Sequence, residues 1–388
     1  MPSAPMLRHK STRTLIGAVA AACLALSACS SSGSGQTKSG GPASGTGASG
    51  TGAAPAAVSA ARTAMNRYLA TPTKIGPTTP LNSPAPEGKT FVYMKCNLPQ
   101  CATVGAAVQE AAAAVHWHAQ IINFDSSNTA TLISGLKQAL RYHPVAVGIS
   151  GIPQPLWKSE ESAYAAAGVA IIPQQTGPIT VSKTVPVQVG DDGPAAGKIV
   201  GNWFVADSNG QGKGLLVSVP TFAILTEVAK SIQSTVKASC PACSFQTLNA
   251  TVAQQAGNQI VPAIVSALKR NPSLKYVVTT DGVLLTGLSS ALKAAGLNGI
   301  KVGGALATAQ NEQNILDGTA TAFTSYNSDY IGWQLIDAAL RQAEGMSFEP
   351  NDGGSPEQLL VKSNVGKPSD TASAPSDFRD QFKKLWGI

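Results

Sequence analysis

Beyond its first apolar run, Leu15 to Leu26, the 388-residue chain has no stretch long and apolar enough to cross a membrane as a helix. It also has no basic stripe interleaved with aromatic residues. The formal net charge of +7 includes Arg8, Lys10 and Arg13 of that first segment, and the remaining Lys and Arg are scattered, so nothing calls for nucleic acid as a partner. Catalytic motifs are missing too. Ser150 in Gly148-Ile149-Ser150-Gly151-Ile152 falls short of a nucleophile elbow because the second Gly comes one position early. Gly210-Gln211-Gly212-Lys213-Gly214 lacks phosphate-loop spacing and precedes a strand, which makes it a turn. His116 and His118 stand two apart, so a helix would split them between faces and no metal site results. The expectation is a protein that is not an enzyme and needs neither cofactor nor metal.

What is present begins with Arg8, Lys10 and Arg13 ahead of the apolar run, the layout of a cleaved export signal. The run ends in Leu26-Ser27-Ala28-Cys29. That stop resembles the lipobox of bacterial lipoproteins, in which the Cys is acylated and becomes the new N-terminus. The resemblance implies a mature protein that starts at Cys29, lies outside the cytoplasm and is anchored to the cell membrane by its lipid. From Ser30 to about Pro55 the chain is almost wholly Ser, Gly, Thr and Ala. Such a segment has no apolar side chains to offset the entropy of ordering it. Ala56 to Leu69 has the pattern of a short amphipathic helix, and Thr71 to Pro86 carries five prolines. The expectation is a flexible tether over 29–88, with folded structure starting near Lys89.

Four cysteines remain in a compartment that permits disulfides, in two close pairs: Cys96 with Cys101 and Cys240 with Cys243. Two local disulfides are expected. Zinc is the alternative, disfavoured because pairs in different domains would not readily close one tetrahedral site. Cys240-Pro241-Ala242-Cys243 follows a helix rather than starting one, so the dipole that would activate a redox thiolate has the wrong sign.

Past Lys89, β-branched runs alternate with segments of helical period. Strands are expected at Thr90–Met94, Ala119–Phe124, Ala146–Ser150 and Val169–Pro173, then at Gly214–Val219, Ser244–Ala250, Tyr276–Thr280 and Lys301–Ala305. Helices fall between them, for example at Thr103–His116, Thr129–Tyr142, Phe222–Lys237, Asn258–Lys269 and Leu284–Ala295. This alternation predicts an α/β fold of two parallel-sheet units covered on both faces. Ligands of open parallel sheets bind beyond the carboxyl ends of the strands, which gives a short list of candidate positions.

The segments Lys269-Arg270-Asn271-Pro272, Leu274 to Gly282 (LKYVVTTDG), Leu288 to Gly296 (LSSALKAAG), Ile315 to Ala322 (ILDGTATA) and Ser325 to Gly332 (SYNSDYIG) stand in an order and spacing that carry a family resemblance. Phe124 to Asn128 and Asp191 to Gly197 extend it toward the N-terminus. Together they resemble a type I periplasmic binding protein of the ribose/galactose-binding kind. The resemblance implies two doubly wound lobes joined by a three-strand hinge, with the chain crossing near Val189, Tyr326 and Leu359. The lobes would be 89–190 plus 327–358 and 191–326 plus 359–388, behind a signal at 1–28. It further implies a monomer that traps a small solute between closing lobes and delivers it to an ABC-type permease. A sensor passing its closed state to a membrane signalling partner would share the cleft, and an exported enzyme on the same fold would instead turn its ligand over. The export signal and the lack of a helix-turn-helix ahead of the first lobe exclude a cytoplasmic repressor.

The chain departs from the sugar-binding pattern where specificity is set. Asn97-Leu98-Pro99-Gln100-Cys101 replaces the family's aromatic clamp, Gln174-Gln175 stands for its Asp-Arg pair, Asp281-Gly282 for its Asn-Asp, and Tyr326 for its hinge Gln. Gln174 and Gln175 offer donors and acceptors without charge. Asp281 would accept from hydroxyls or anchor an ammonium, and Tyr326 would stack and donate. Trp157 is a candidate for the missing clamp, and Asn97, Gln100 and Asn128 also fall at strand ends. With Lys95 the only cation at a strand end, a neutral or weakly cationic polar ligand is expected.

Overall fold

The computed structural model describes residues 53–388; the signal segment, Cys29 and the tether up to residue 52 lie outside the described residues. In chain order come α1 (Ala53–Asn66), β1 (Thr90–Lys95), α2 (Pro99–Ala114), β2 (His118–Asn123), α3 (Thr129–Ala139), β3 (Ala146–Ser150), α4 (Glu161–Ala167) and β4 (Ala170–Gln174). The first sheet has the order β2-β1-β3-β4, and all its pairings are parallel. In β1 the period of two sends Phe91 and Tyr93 into one core with Val104 and Trp333, and Val92 and Met94 into another with Leu136 and Trp157. Burial on both faces explains why β1, β3 and β4 read as apolar runs, whereas the edge strand β2 is part-exposed.

The second unit comprises α5 (Gly193–Asp207), β5 (Lys213–Ser218), α6 (Ala223–Ser239), β6 (Ser244–Asn249), α7 (Val252–Ala256), α8 (Ile260–Arg270), β7 (Tyr276–Thr279), α9 (Leu288–Ala294), β8 (Lys301–Gly304), α10 (Ala309–Leu316) and β9 (Ala322–Thr324). The chain then forms α11 (Ser328–Ala343), β10 (Leu359–Val361) and α12 (Phe378–Trp386). The second sheet has the order β10-β9-β8-β7-β5-β6, with β10 antiparallel to β9 and the other pairings parallel. The expected helix Leu284–Ala295 is instead a 3-10 turn followed by α9, because Gly287 takes a φ of +82° between them.

The helices α2 and α11 cover one face of the first sheet in close contact. A Cβ at Gly332 would lie 2.8 Å from the backbone C of Ala107 and from the N of Val108. Those atoms belong to a helix and cannot swing aside. Gly332→Val is therefore expected to cost about 1–3 kcal/mol by overpacking, read as a lower denaturation midpoint.

Three expectations about organisation are corrected. Residues 53–88 are not a tether. Ala61 of α1 is buried, with Val58, Met65, Tyr68 and Leu69 packed against the core. The Pro-rich stretch after it is tied to the body: Gly76 N donates to Tyr330 Oη at 2.8 Å, Arg341 Nη2 to Thr79 O at 2.8 Å, Leu81 N to Leu385 O at 2.9 Å and Trp117 Nε1 to Pro86 O at 2.6 Å. Proline removes donors but leaves carbonyls, and this strap is ordered because the body supplies donors to two of its carbonyls and acceptors for two of its remaining N–H groups.

The end of the chain does not belong wholly to the second lobe. β10 stays there, but α12 lies on the first lobe. Phe378, Phe382 and Trp386 form its one buried stripe, and Trp386 stacks on Trp333 of α11 with centroids 5.2 Å apart at 8°. Arg379 then clasps Glu110 of α2 at 2.7 Å and Asp329 of α11 at 2.9 Å.

The expected three crossings become five among the described residues. The crossings near Val189, Tyr326 and Leu359 are joined by one between α1 and Ile75, and by one near Asp370, which accepts from Ala309 N of the second lobe and from Ser328 Oγ of the first.

Candidate functional site

The carboxyl ends of both sets of strands converge on one cavity of about 80 Å³, room for roughly five to eight water-sized spheres. The loop after β1 and the first turn of α2 bring Leu98, Gln100 and the Cys96–Cys101 disulfide to it, β4 ends there in Gln174 with Gln175 following, and the first turn of α6 adds Ile224 and Leu225. Asp281 arrives from the end of β7 and Tyr326 from the hinge after β9.

A buried relay fixes one wall. Tyr93 Oη donates to Gln174 Oε1 at 2.9 Å, Gln174 Nε2 to Gln175 Oε1 at 3.1 Å, and Gln175 Nε2 to Asp191 Oδ2 at 2.9 Å. Gln175 holds a φ of +51°, a conformation that costs a side-chain-bearing residue energy and that persists only where surrounding bonds over-determine it. The relay supplies those bonds and joins β1, β4 and the first crossing.

The charges here are all acidic and poorly solvated. Asp281 caps the 3-10 turn through Val283 N at 3.1 Å, and burial pushes its carboxyl up to about 7. Burial does the same to Asp191, pushed up to about 7, against the one side-chain hydrogen bond it accepts, from Gln175 Nε2; its Oδ1 is buried without a partner. Tyr326 is held well above the ordinary phenol range, first by burial and then by the negative charge of Asp191 nearby. Among the described residues no Lys, Arg or His lines the cavity, Lys95 included. Two lining acceptors, Gln100 Oε1 and Gln255 Oε1, are buried without a hydrogen-bond partner. The wall therefore presents acceptors and asks for donors on whatever fills it.

The sequence profile of the periplasmic binding protein domain matches residues 91–347, more than half of the chain. The chain belongs to the periplasmic binding protein family. Solved structures share the fold at low identity. An ABC transporter solute-binding protein from Mycobacterium smegmatis, with bound glycerol, is 19% identical with a TM-score of 0.65, covering 74% of this chain and 99% of its own. A carbohydrate transporter from Acidothermus cellulolyticus, in complex with myo-inositol, is 18% identical with a TM-score of 0.62, covering 76% and 99%. A galactofuranose-binding protein is 15% identical with a TM-score of 0.63, covering 78% and 99%. No curated protein sequence matches the chain. Members of the periplasmic binding protein family bind and carry substrates rather than convert them.

Within this family frame, five of the sequence candidates line the cavity: Gln100, Gln174, Gln175, Asp281 and Tyr326. Three do not. Trp157 is fully buried and donates through Nε1 to Ile152 O at 2.9 Å, so it braces the loop after β3 from the core side instead of serving as a clamp. Asn97 accepts from Ser126 Oγ at 2.7 Å and ties the loops after β1 and β2 together. Asn128 caps α3, accepting from Ala130 N at 3.2 Å. All three follow a strand, but each side chain is taken up by a local structural partner. The pair Cys240–Cys243 forms its disulfide at the end of α6, away from the cavity.

Sequence reasoning missed Phe222, Ile224, Leu225, Gln255, Leu306 and Thr308 on the second lobe. Their apolar members open an amphipathic helix or end a strand, which is also the signature of core. Position after β5 and β8 was the one available signal.

Proposed function

We propose that the protein is an extracytoplasmic lipoprotein, acylated at Cys29, that captures a small polar solute between its lobes and delivers it to an ABC-type importer. The observation that carries this reading is the acceptor-rich, cation-free cavity at the strand ends of both lobes. Gln100, Gln174, Gln175, Asp281 and Tyr326 hold the solute, whose hydroxyl or ammonium donors meet the Gln and Asp oxygens. The polyols and sugars named for the structural neighbours are donor-rich solutes of this kind. Contacts to both lobes favour the closed form, and the permease reads the closed pair of surfaces. Tethering through Cys29 keeps the binder beside that permease.

Thermal unfolding against polyols, sugars, amino alcohols and amino acids tests the reading. A solute at 100 times its dissociation constant adds about 2.7 kcal/mol, seen as a raised midpoint, with the compound recovered unchanged. Asp281→Ala and Tyr326→Ala should each weaken binding by ~1 kcal/mol or more. Unchanged affinity in both variants would show that the solute sits elsewhere.

A further inference from the structure

The solute-capture reading accounts for the polar groups of the cavity but not for the rest of its wall. Leu98 and Ile152 of the first lobe face it, as do Phe222, Ile224, Leu225 and Leu306 of the second. The Cys96–Cys101 disulfide, another apolar surface, lies among them. The wall has a polar share as well. Gln174 bonds to Gln175, which joins Asp191 through the relay, and Asp281 and Tyr326 line the same cavity.

From this division we infer that the captured solute is amphipathic: a small head bearing hydroxyl or ammonium donors on the Asp281, Gln174 and Tyr326 side, and an unsubstituted hydrocarbon portion gripped by aliphatic side chains from both lobes. The inference rests on the solute-capture reading and narrows its ligand class. A sugar or a long polyol carries a hydroxyl on nearly every carbon. Closing six apolar side chains over such a ligand would strip water from hydroxyls that find no partner there. A ring clamp covers the CH face of a sugar and leaves its hydroxyls at the rim. Here one ring, Phe222, stands among five branched aliphatic side chains converging from two lobes, which enclose alkyl groups. The cavity of about 80 Å³ limits the hydrocarbon to a short chain. Among the described residues no cation lines the wall, so a carboxylate or phosphate head has no ion-pair partner, while two orphaned amide oxygens await a donor.

Two matched series, measured by calorimetric titration of the full mature chain, test this. The first runs from 1,2-propanediol through 1,2-butanediol to 1,2-pentanediol, with the corresponding 2-amino-1-alcohols in parallel; the second runs from glycerol through erythritol to a pentitol. Affinity should climb about fourfold per methylene in the first series until the cavity is full, and the five-carbon diol or amino alcohol should outbind the pentitol. The parallel amines tell a hydroxyl head from an ammonium head. Leu98→Asn, at a half-buried loop position, should flatten the methylene increment, and Leu225→Asn should do the same wherever its unfolding midpoint confirms a folded protein. A pentitol or pentose that binds more tightly than the diol and amino alcohol of equal length overturns the amphipathic ligand and leaves solute capture standing. No binding by either series overturns both.

Discussion

Asp337→Ala is expected to destabilise the folded body by about 3–5 kcal/mol, the cost of leaving a buried charge without its partner. Asp337 and Arg341 are each 1% exposed on α11 and pair at 2.7 Å. The same carboxylate accepts from Trp386 Nε1 at 2.8 Å. Burial pushes its pKa up and Arg341 only partly offsets that, so desolvation outweighs attraction in this pair. Removing Arg341 lets the remaining carboxyl neutralise itself by taking a proton. Removing Asp337 leaves a guanidinium that cannot lose its charge, with Thr79 O at 2.8 Å as its remaining acceptor. Arg341→Met should therefore cost clearly less than Asp337→Ala, and the double variant Asp337→Leu with Arg341→Met less than either. Equilibrium denaturation of the three variants checks the order; equal losses for the two single variants would contradict it.

That network also shows where sequence reasoning stops. Thr79 lies in a segment read as tether and Trp386 in a helix assigned to the other lobe, yet both close on one ion pair in α11. The composition of 71–86 predicted an irregular backbone, which is correct. It carried no information on whether Arg341 and Trp117 would supply donors to it, or Tyr330 an acceptor, from as many as 262 residues away. The stripe Phe378, Phe382, Trp386 has the spacing of one apolar helix face, but which lobe it covers depends on Trp333 of another helix.

Strands fared better because burial on both faces writes itself into consecutive residues of the inner ones: Ala146–Ser150 was read at both of its ends, and the other seven expected strands, the part-exposed β2 and β6 included, to within a residue, while β9 was not among them. Gln174, Gln175 and Asp281, which end or follow expected strands, and Tyr326, which the family resemblance put at a crossing, line the cavity although their side-chain directions were unknown. Trp157 shows the limit of that reasoning. Its backbone follows a strand as theirs does, but the ring turns inward, and no spacing rule fixes that.

Asp281→Asn should stabilise the unliganded protein above neutral pH while weakening its grip on solute. Asn caps the 3-10 turn as well as Asp does, so the bond to Val283 N survives and only the buried charge is lost. The folded-state pKa of Asp281 is pushed up to about 7 by burial, against an unfolded value of about 3.9. Below about pH 4 both states hold the proton and burial carries no charge cost. Between there and about 7 the unfolded chain releases the proton while the folded chain keeps it, so stability falls as the pH rises and stays low above that range.

Asparagine removes this share of the slope, which makes the variant more stable than the parent by about 2–4 kcal/mol at pH 8 and nearly equal to it at pH 4. Asp191, also pushed up to about 7, keeps a residual slope in both proteins. The same variant should bind an ammonium-bearing solute far more weakly, because the carboxylate that destabilises the empty cavity is the group a cation would stabilise. Unfolding midpoints across pH 4 to 8, with and without solute, separate the two effects. A variant less stable than the parent at pH 8 would mean that Asp281 is held by partners other than Val283, and its role as a waiting acceptor would fall with that result.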